Sequence, residues 1–424
     1  MKINNLFTPF SVGKFDLSHR IVLAPLTRIR ADEETLAPTK LNVEYYAQRA
    51  TPGGLLISEA VYISPEGMPI WSIYKNIKEN GGQAPGIWTS DQVQGWQMVT
   101  KAVHSKGGLI SCQLLHAGRV AQPEIAEHPL VEGTDLPIPS VSSSATPITP
   151  LDEKGNDYNW DQKSVTPRAL KTEEIARICS DYRLAAINAL EAGFDLIELH
   201  AAHGYLIEQF LCDGVNTRDD KYGGSIKNRA RILFEVIETL IDVVGEERLG
   251  VRLSPVDNDP ITNQPNQIYF GVVHSKPELI YEYVINKLSD YNLAYLLLTE
   301  PRVGVLSNVP AKDNIFEVPE SNYKYREIYQ GTLMGAGGFT PLTARKALSE
   351  GNYDLIAFGR WFLSNPDLPE RIKNGHKLNV YDRDTFYGGN EIGYTDYPDY
   401  IRLSKMNKKR YKLISQSSIG RSLS

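Results

Sequence analysis

The chain has 424 residues, 42% of them hydrophobic and 23% charged, with a net charge of −6 at neutral pH. That balance supports a sizeable core, excludes wholesale disorder and gives no sign of a nucleic-acid partner. Cys112, Cys179 and Cys212 form no CxxC pair, which excludes a disulfide scaffold and fits a reducing compartment. With no apolar signal-type run near residue 1 and no stretch of about 18 apolar residues, the expected location is cytoplasmic, without a membrane partner.

Short apolar runs alternate with amphipathic ones along the chain. "TPFSVGKFDLSHR" (8–20) reads as a β-hairpin. Eight apolar runs follow: "IVLAPL" (21–26), "LLISEA" (55–60), "LISCQLL" (109–115), "LIELH" (196–200), "LGVRLS" (249–254), "AYLLLT" (294–299), "TLMGAG" (332–337) and "LIAFG" (355–359). Near-continuous apolar strands are buried on both faces, as parallel strands are. Helical patterns separate them. One opens at Thr89-Ser90 and stops at Gly107, one runs from Thr172 to Gly193, and one has Thr340 before Pro341 and Gly351 behind it. Eight strand–helix repeats predict a closed (β/α)₈ TIM barrel; the rival open sheet is weakened because no GxGxxG follows the first strand.

Residues 120–169 and 255–276 read as long loops over the catalytic face. Residues 1–402 are expected to form a single domain. The tail 403–424 carries Lys405, Lys408, Lys409, Arg410 and Lys412 with no acid, and reads as a solvated tail.

Barrel enzymes place their chemistry at the C-terminal ends of the strands. Those ends carry Pro25, Leu26 and Thr27, then Glu59-Ala60, Gln113, Arg252, Gly337-Gly338 and Gly359-Arg360. The glycines next to a helix start, with Arg360, suit a phosphate. Gln113 and Thr27 suit a flat polar ring. Arg252, ending an apolar strand, must face either a core carboxylate or a cofactor anion.

"ELHAAHGYL" (198–206) ends the fourth strand with His200, His203 and Tyr205. The cluster is a metal site, a proton-handling site or a satisfied piece of core. A zinc site would need a third ligand, and no HExxH or CxxC supplies one, so no metal is expected. Two imidazole donors can hold a carbonyl oxygen, and a tyrosine can donate a proton nearby.

Beyond this residue-level reading, the chain resembles the Old Yellow Enzyme family of flavin-dependent ene-reductases, which includes the plant 12-oxophytodienoate reductases. The likeness runs from about residue 5 to 402. It rests on "RIVLAPLTR", "SEAVYISPEG", "GIWTSDQVQGW", "QLLHAGR", "ELHAAHGYLIEQFL", "NTRDDKYGGSIKNRARILFEV", "EPRVG", "AGGF", "FGRWFLSNPDLPERI" and "DTFYGG". The resemblance implies non-covalent FMN, with NADPH as hydride donor and NADH as a possible substitute. It implies that Pro25, Leu26 and Thr27 flank the flavin and that Ala60 lets the ring lie close. Gln113 would bind the pyrimidine edge and Arg252 would face N1. Gly337, Gly338, Gly359 and Arg360 would hold the phosphate. His200 and His203 would bind the carbonyl oxygen of an α,β-unsaturated substrate, Tyr205 would protonate carbon, and Tyr387 would line the pocket. Leu115 stands where some members carry tryptophan, implying a differently shaped pocket. The protein is expected to be a monomer or homodimer. A flavin-binding barrel with an isomerase or regulatory binding role is the alternative.

Overall fold

The computed structural model describes residues 5–68, 82–121, 130, 140–148, 166–256, 270–300 and 322–401. Eight strands close a barrel: β3 (Ile21–Leu23), β4 (Leu55–Tyr62), β5 (Leu109–Leu115), β8 (Leu196–His200), β9 (Leu249–Leu253), β10 (Tyr295–Thr299), β11 (Leu333–Ala336) and β12 (Leu355–Phe358). Each pairs in parallel with the next in this order, and β12 closes on β3. The expected (β/α)₈ architecture is therefore observed. Every barrel strand is buried along nearly its whole length, because helices cover its outer side and the barrel core its inner side.

The predicted N-terminal hairpin forms from β1 (Phe10–Val12) and β2 (Phe15–Leu17), turning at Gly13. Val12 and Leu17 join Val22, Leu55, Ile57, Tyr295, Leu297, Met334 and Leu355 in the barrel's inner core. Gly13 packs against the carbonyl of Glu247, just ahead of β9, so the hairpin plugs the N-terminal end. Tyr295 fills the inside of the barrel. A Cβ on Gly250 would run into its ring, so glycine is required there.

The helices begin where side chains can satisfy their free N–H groups. Thr89 caps Ser90–His104, and Thr340 caps Pro341–Ser349, each in a capping box. The helix expected from Thr172 starts differently. Thr172–Glu174 is a 3₁₀ turn held by Glu174, which accepts from the Lys171 N–H, and the α-helix is Ile175–Glu191. The first strand stops at Leu23, short of the predicted Leu26, because Pro25 has no N–H for a ladder. The second runs on to Tyr62 across a register shift between Ile57 and Ala60. The segment predicted as one loop after β5 holds two short strands, β6 (Val141–Ser142) and β7 (Arg168–Ala169), paired in parallel. Most of that loop, most of the 255–276 loop and the tail from residue 402 lie outside the described residues.

Candidate active site

At the barrel mouth the strand register sets one layer of polar side chains. Ala60 pairs with Gln113, Gln113 with Glu198, and His200 with Arg252. Gln113 donates from Nε2 to Glu198 Oε1 at 2.5 Å. Its amide orientation is thereby fixed, leaving Oε1 as the end that can accept. Arg252 donates from Nε to Thr299 Oγ1 at 3.2 Å. The sequence left Arg252 between a core carboxylate and a cofactor anion; the structure puts it within electrostatic reach of Glu198, and both readings stay open. Burial pushes the Glu198 carboxyl up, and Arg252 beside it pulls the other way. Glu198 sits in the quoted motif, yet it was read only as strand. Its signal was available: a fully buried acid in a strand needs a partner.

The seventh and eighth strand ends lie side by side, since Ala336 pairs with Ala357. Gly337 (φ 98°) and Gly338 (φ 76°) follow β11 in conformations that favour glycine. A Cβ on Gly337 would also sit 2.9 Å from the Glu300 carbonyl oxygen. Gly359 follows β12, and half-buried Arg360 opens the next short helix. Its guanidinium donates to the Tyr381 hydroxyl at 3.3 Å and stacks on that ring. Bare backbone, the capped helix start at Pro341 and a fixed cation thus converge on one corner of the mouth. Pro25 is buried and Leu26 and Thr27 are half-buried, on the segment between β3 and that corner.

The histidine loop leaves β8 above Arg252. His200 Nδ1 accepts from the Ala202 N–H at 3.2 Å, which puts its proton on Nε2. That nitrogen lies 3.4 Å from His203 Nδ1. His203 has φ 56°, a conformation a β-substituted residue holds only under constraint. The constraint is visible. Its N–H donates to Ser254 Oγ at 2.8 Å, and the Gly204 N–H donates to Glu208 Oε2 at 2.5 Å. Desolvation, with Arg252 nearby, holds both imidazoles well below the usual histidine range, so both are neutral. The Tyr205 ring meets His200 edge-on at 5.1 Å and Phe270 at 5.4 Å.

Tyr205, Leu115 and Ala60 share one apolar cluster with Tyr62, Ala117, Val256 and Phe270, separate from the barrel core, and Tyr387 packs against it. Tyr387 comes from residues 385–393, which two buried arginines strap onto the mouth. Arg28 donates to the carbonyls of Phe386 (2.9 Å) and Gly393 (2.9 Å), and Arg30 to those of Thr385 (3.0 Å) and Asn390 (2.9 Å). Glu59 in turn accepts from the Arg28 N–H at 3.1 Å. The structure places the residues expected from the sequence in three groups at the C-terminal ends of the strands: a floor, a glycine corner and a wall. Sequence reasoning missed Glu198, Phe270, Ser254 and the two strapping arginines. Phe270 had no signal, because only the fold returns its loop to Tyr205.

A parallel eight-fold barrel whose mouth offers a fixed amide, an arginine and a glycine corner is the scaffold of a flavin-type oxidoreductase. The profile of the NADH:flavin oxidoreductase / NADH oxidase family matches residues 5–379. The chain belongs to that family, in its Old Yellow Enzyme branch. It is 43% identical over 394 residues to the putative 12-oxophytodienoate reductase 11 of Oryza sativa subsp. japonica, covering 93% of this chain and 97% of that one. It is 39% identical to 12-oxophytodienoate reductase 2 of Arabidopsis thaliana, over 93% of this chain and 95% of that one. Among solved structures, morphinone reductase superposes with a TM-score of 0.77 at 38% identity, over 94% and 98% of the two chains. The old yellow enzyme homologue from Zymomonas mobilis gives 0.78 at 37%, over 93% and 99%. The residues at the mouth fit FMN. A fixed amide and a cation suit the ring, and a corner of bare backbone with an arginine suits the phosphate.

Proposed function

We propose that the chain is an ene-reductase, reducing the C=C bond of α,β-unsaturated carbonyl compounds with FMN and NADPH. NADH is the alternative donor, and nitroalkenes and quinones are further candidate acceptors. The observation that carries the reading is the pair of neutral, buried histidines beside Tyr205, directly above Arg252. The 12-oxophytodienoate and morphinone reductases among its relatives support a reductase. A solved complex of morphinone reductase with tetrahydroNAD supports a nicotinamide donor.

Bound FMN would supply the redox chemistry, a hydride relay between nicotinamide and substrate. Gln113 offers the ring an acceptor whose orientation Glu198 fixes, and Arg252 offers it a cation. Arg360 and the Gly337-Gly338 backbone would hold the phosphate, while Pro25, Leu26, Thr27 and Ala60 would border the ring. The two neutral imidazoles would turn N–H donors to the substrate carbonyl oxygen, where negative charge grows, His200 exchanging its 3.4 Å contact with His203 Nδ1 for the substrate. Neutral donors do this without a proton leaving the pair. Tyr205 delivers the proton to the α-carbon. Leu115, Phe270 and Tyr387 form apolar walls that exclude water from the reacting atoms.

The test is anaerobic. The purified holoprotein is bleached with NADPH or NADH and mixed with enals, cyclic enones, nitroalkenes or quinones. Return of the yellow colour is expected, with saturated ketone or aldehyde formed from enones and enals, nitroalkane from nitroalkenes and hydroquinone from quinones. Isomerised product without nicotinamide consumption would replace this reading with the isomerase one.

A further inference from the structure

A second cluster lies behind the histidine loop. The helix Leu206–Leu211 ends at Cys212, and the chain turns through Asp213 and Gly214 against residues 273–275. The two segments are locked together. The Cys212 thiol donates to the Val273 carbonyl at 2.9 Å, and the Ser275 N–H and hydroxyl both donate to the Asp213 carboxylate, the N–H at 2.9 Å. A Cβ on Gly214 would run into the Val273 carbonyl oxygen, so the backbones touch. Between them stands His274. One ligand-capable atom each from Cys212, Asp213 and His274 lies within 4.8 Å of the other two.

His274 is only 4% exposed, and its Nε2 makes no hydrogen bond among the described residues. It points to the buried Glu208 carboxylate at 3.6 Å, a distance too long for a hydrogen bond. A carboxylate behind an imidazole is the usual second partner of a metal-bound histidine, since it orients the ring and makes it a better donor. Glu208 also accepts from the Gly204 N–H, the Ser254 hydroxyl and the Tyr281 hydroxyl. Ser254 in turn holds the His203 N–H.

We propose that Cys212, Asp213 and His274 bind a divalent transition-metal cation, zinc before others, in a site separate from the flavin pocket. Thiolate, imidazole and carboxylate are the donor set zinc prefers, and three protein ligands leave one position for water. Binding displaces the thiol proton from Cys212. Because Glu208 braces both His274 and the loop of His203, an occupied site shares one carboxylate with the histidine pair. The expectation of no metal concerned His200 and His203; this cluster joins residues about 60 positions apart, which spacing in the sequence does not reveal.

The test uses holoprotein treated with chelator, then dialysed against zinc chloride. One zinc per chain is expected by mass spectrometry, with an anomalous scattering peak at the zinc edge between Cys212 and His274. Cys212→Ser and His274→Gln should each abolish stoichiometric binding, and Glu208→Gln should weaken it roughly 10–100-fold. Cys179→Ser, on another helix, should leave it unchanged. Absence of an anomalous peak at this position in the parent protein overturns the proposal, whatever the variants do. So does zinc retained equally by both ligand variants.

Discussion

The floor of the barrel mouth and the wall above it are made in different ways. The floor (Ala60, Gln113, Glu198, Arg252 and Thr299) sits on adjacent strands, and its polar groups are already bonded to one another. The wall (His200, His203, Tyr205, Phe270 and Tyr387) comes from one strand end and three loop segments. Two of its members, His203 and Phe270, hold positive φ. Under the proposed function, strands would deliver a fixed flat surface for a cofactor that stays. Loops braced by Ser254, Glu208, Arg28 and Arg30 would deliver a shaped space for substrates that come and go. If this division is right, damage to the floor should cost cofactor, and damage to the wall should cost turnover.

The largest effects are expected in the wall, at Tyr205 and at the histidine pair. His200→Ala or His203→Ala removes a donor to the substrate oxygen and should lower the rate of enone reduction by roughly 10²–10³-fold, the usual effect of losing one such donor. FMN content should stay unchanged. Loss of flavin instead would place the pair in the floor and break the division.

Glu198→Gln tests the floor. It keeps the side chain's shape but removes the charge beside Arg252 and frees the Gln113 amide to turn over. A hydrogen bond to a charged group contributes roughly 1.5–3 kcal/mol, so FMN should bind about 10–100-fold more weakly by equilibrium dialysis. The flavin reduction potential should shift as well, which a merely structural acid would not cause. At the phosphate corner, Arg360→Ala should also weaken FMN retention, by roughly 1.5–3 kcal/mol. Unchanged retention would mean that the corner is wrongly assigned.

An effect of similar size is expected on stability. His200 and His203 are neutral in the folded state, with their pKa held well below normal. The unfolded chain takes up protons on both as the pH falls through about 6.5. Above that pH both states are neutral and the pair adds no pH-linked term; below it, proton uptake stabilises the unfolded chain and native stability falls. For two histidines the loss over the first pH unit below about 6.5 is about 2 kcal/mol, and the slope approaches about 2.7 kcal/mol per unit at lower pH. Urea unfolding between about pH 6.5 and about pH 5.5 should show it, and a His200→Asn/His203→Asn variant should flatten it.

The same division explains what could be read in advance. Strand ends are local, so apolar runs located Gln113, Arg252 and the glycine corner, and capping threonines located helix starts at Ser90 and Pro341. Glu198 was hidden because a strand reading treats its one acid as noise. The role of Tyr387 was visible only through a family resemblance. It depends on arginines more than 350 positions away, and no periodicity carries that information. Phe270 and the Cys212–His274 cluster were hidden for the same reason: loops meet only in the folded chain.

Tyr205→Phe tests the central claim most directly, because it keeps the ring against His200 and Phe270 and removes one hydroxyl. Stopped-flow absorbance resolves the two halves of the reaction. The variant should be bleached by NADPH at nearly the parent rate, since that step takes no proton from Tyr205. Reoxidation by an enone should slow by roughly 10²–10⁴-fold, the usual share of a general acid, while a quinone should reoxidise it normally. Equal enone rates in variant and parent would remove Tyr205 from the chemistry and contradict the account.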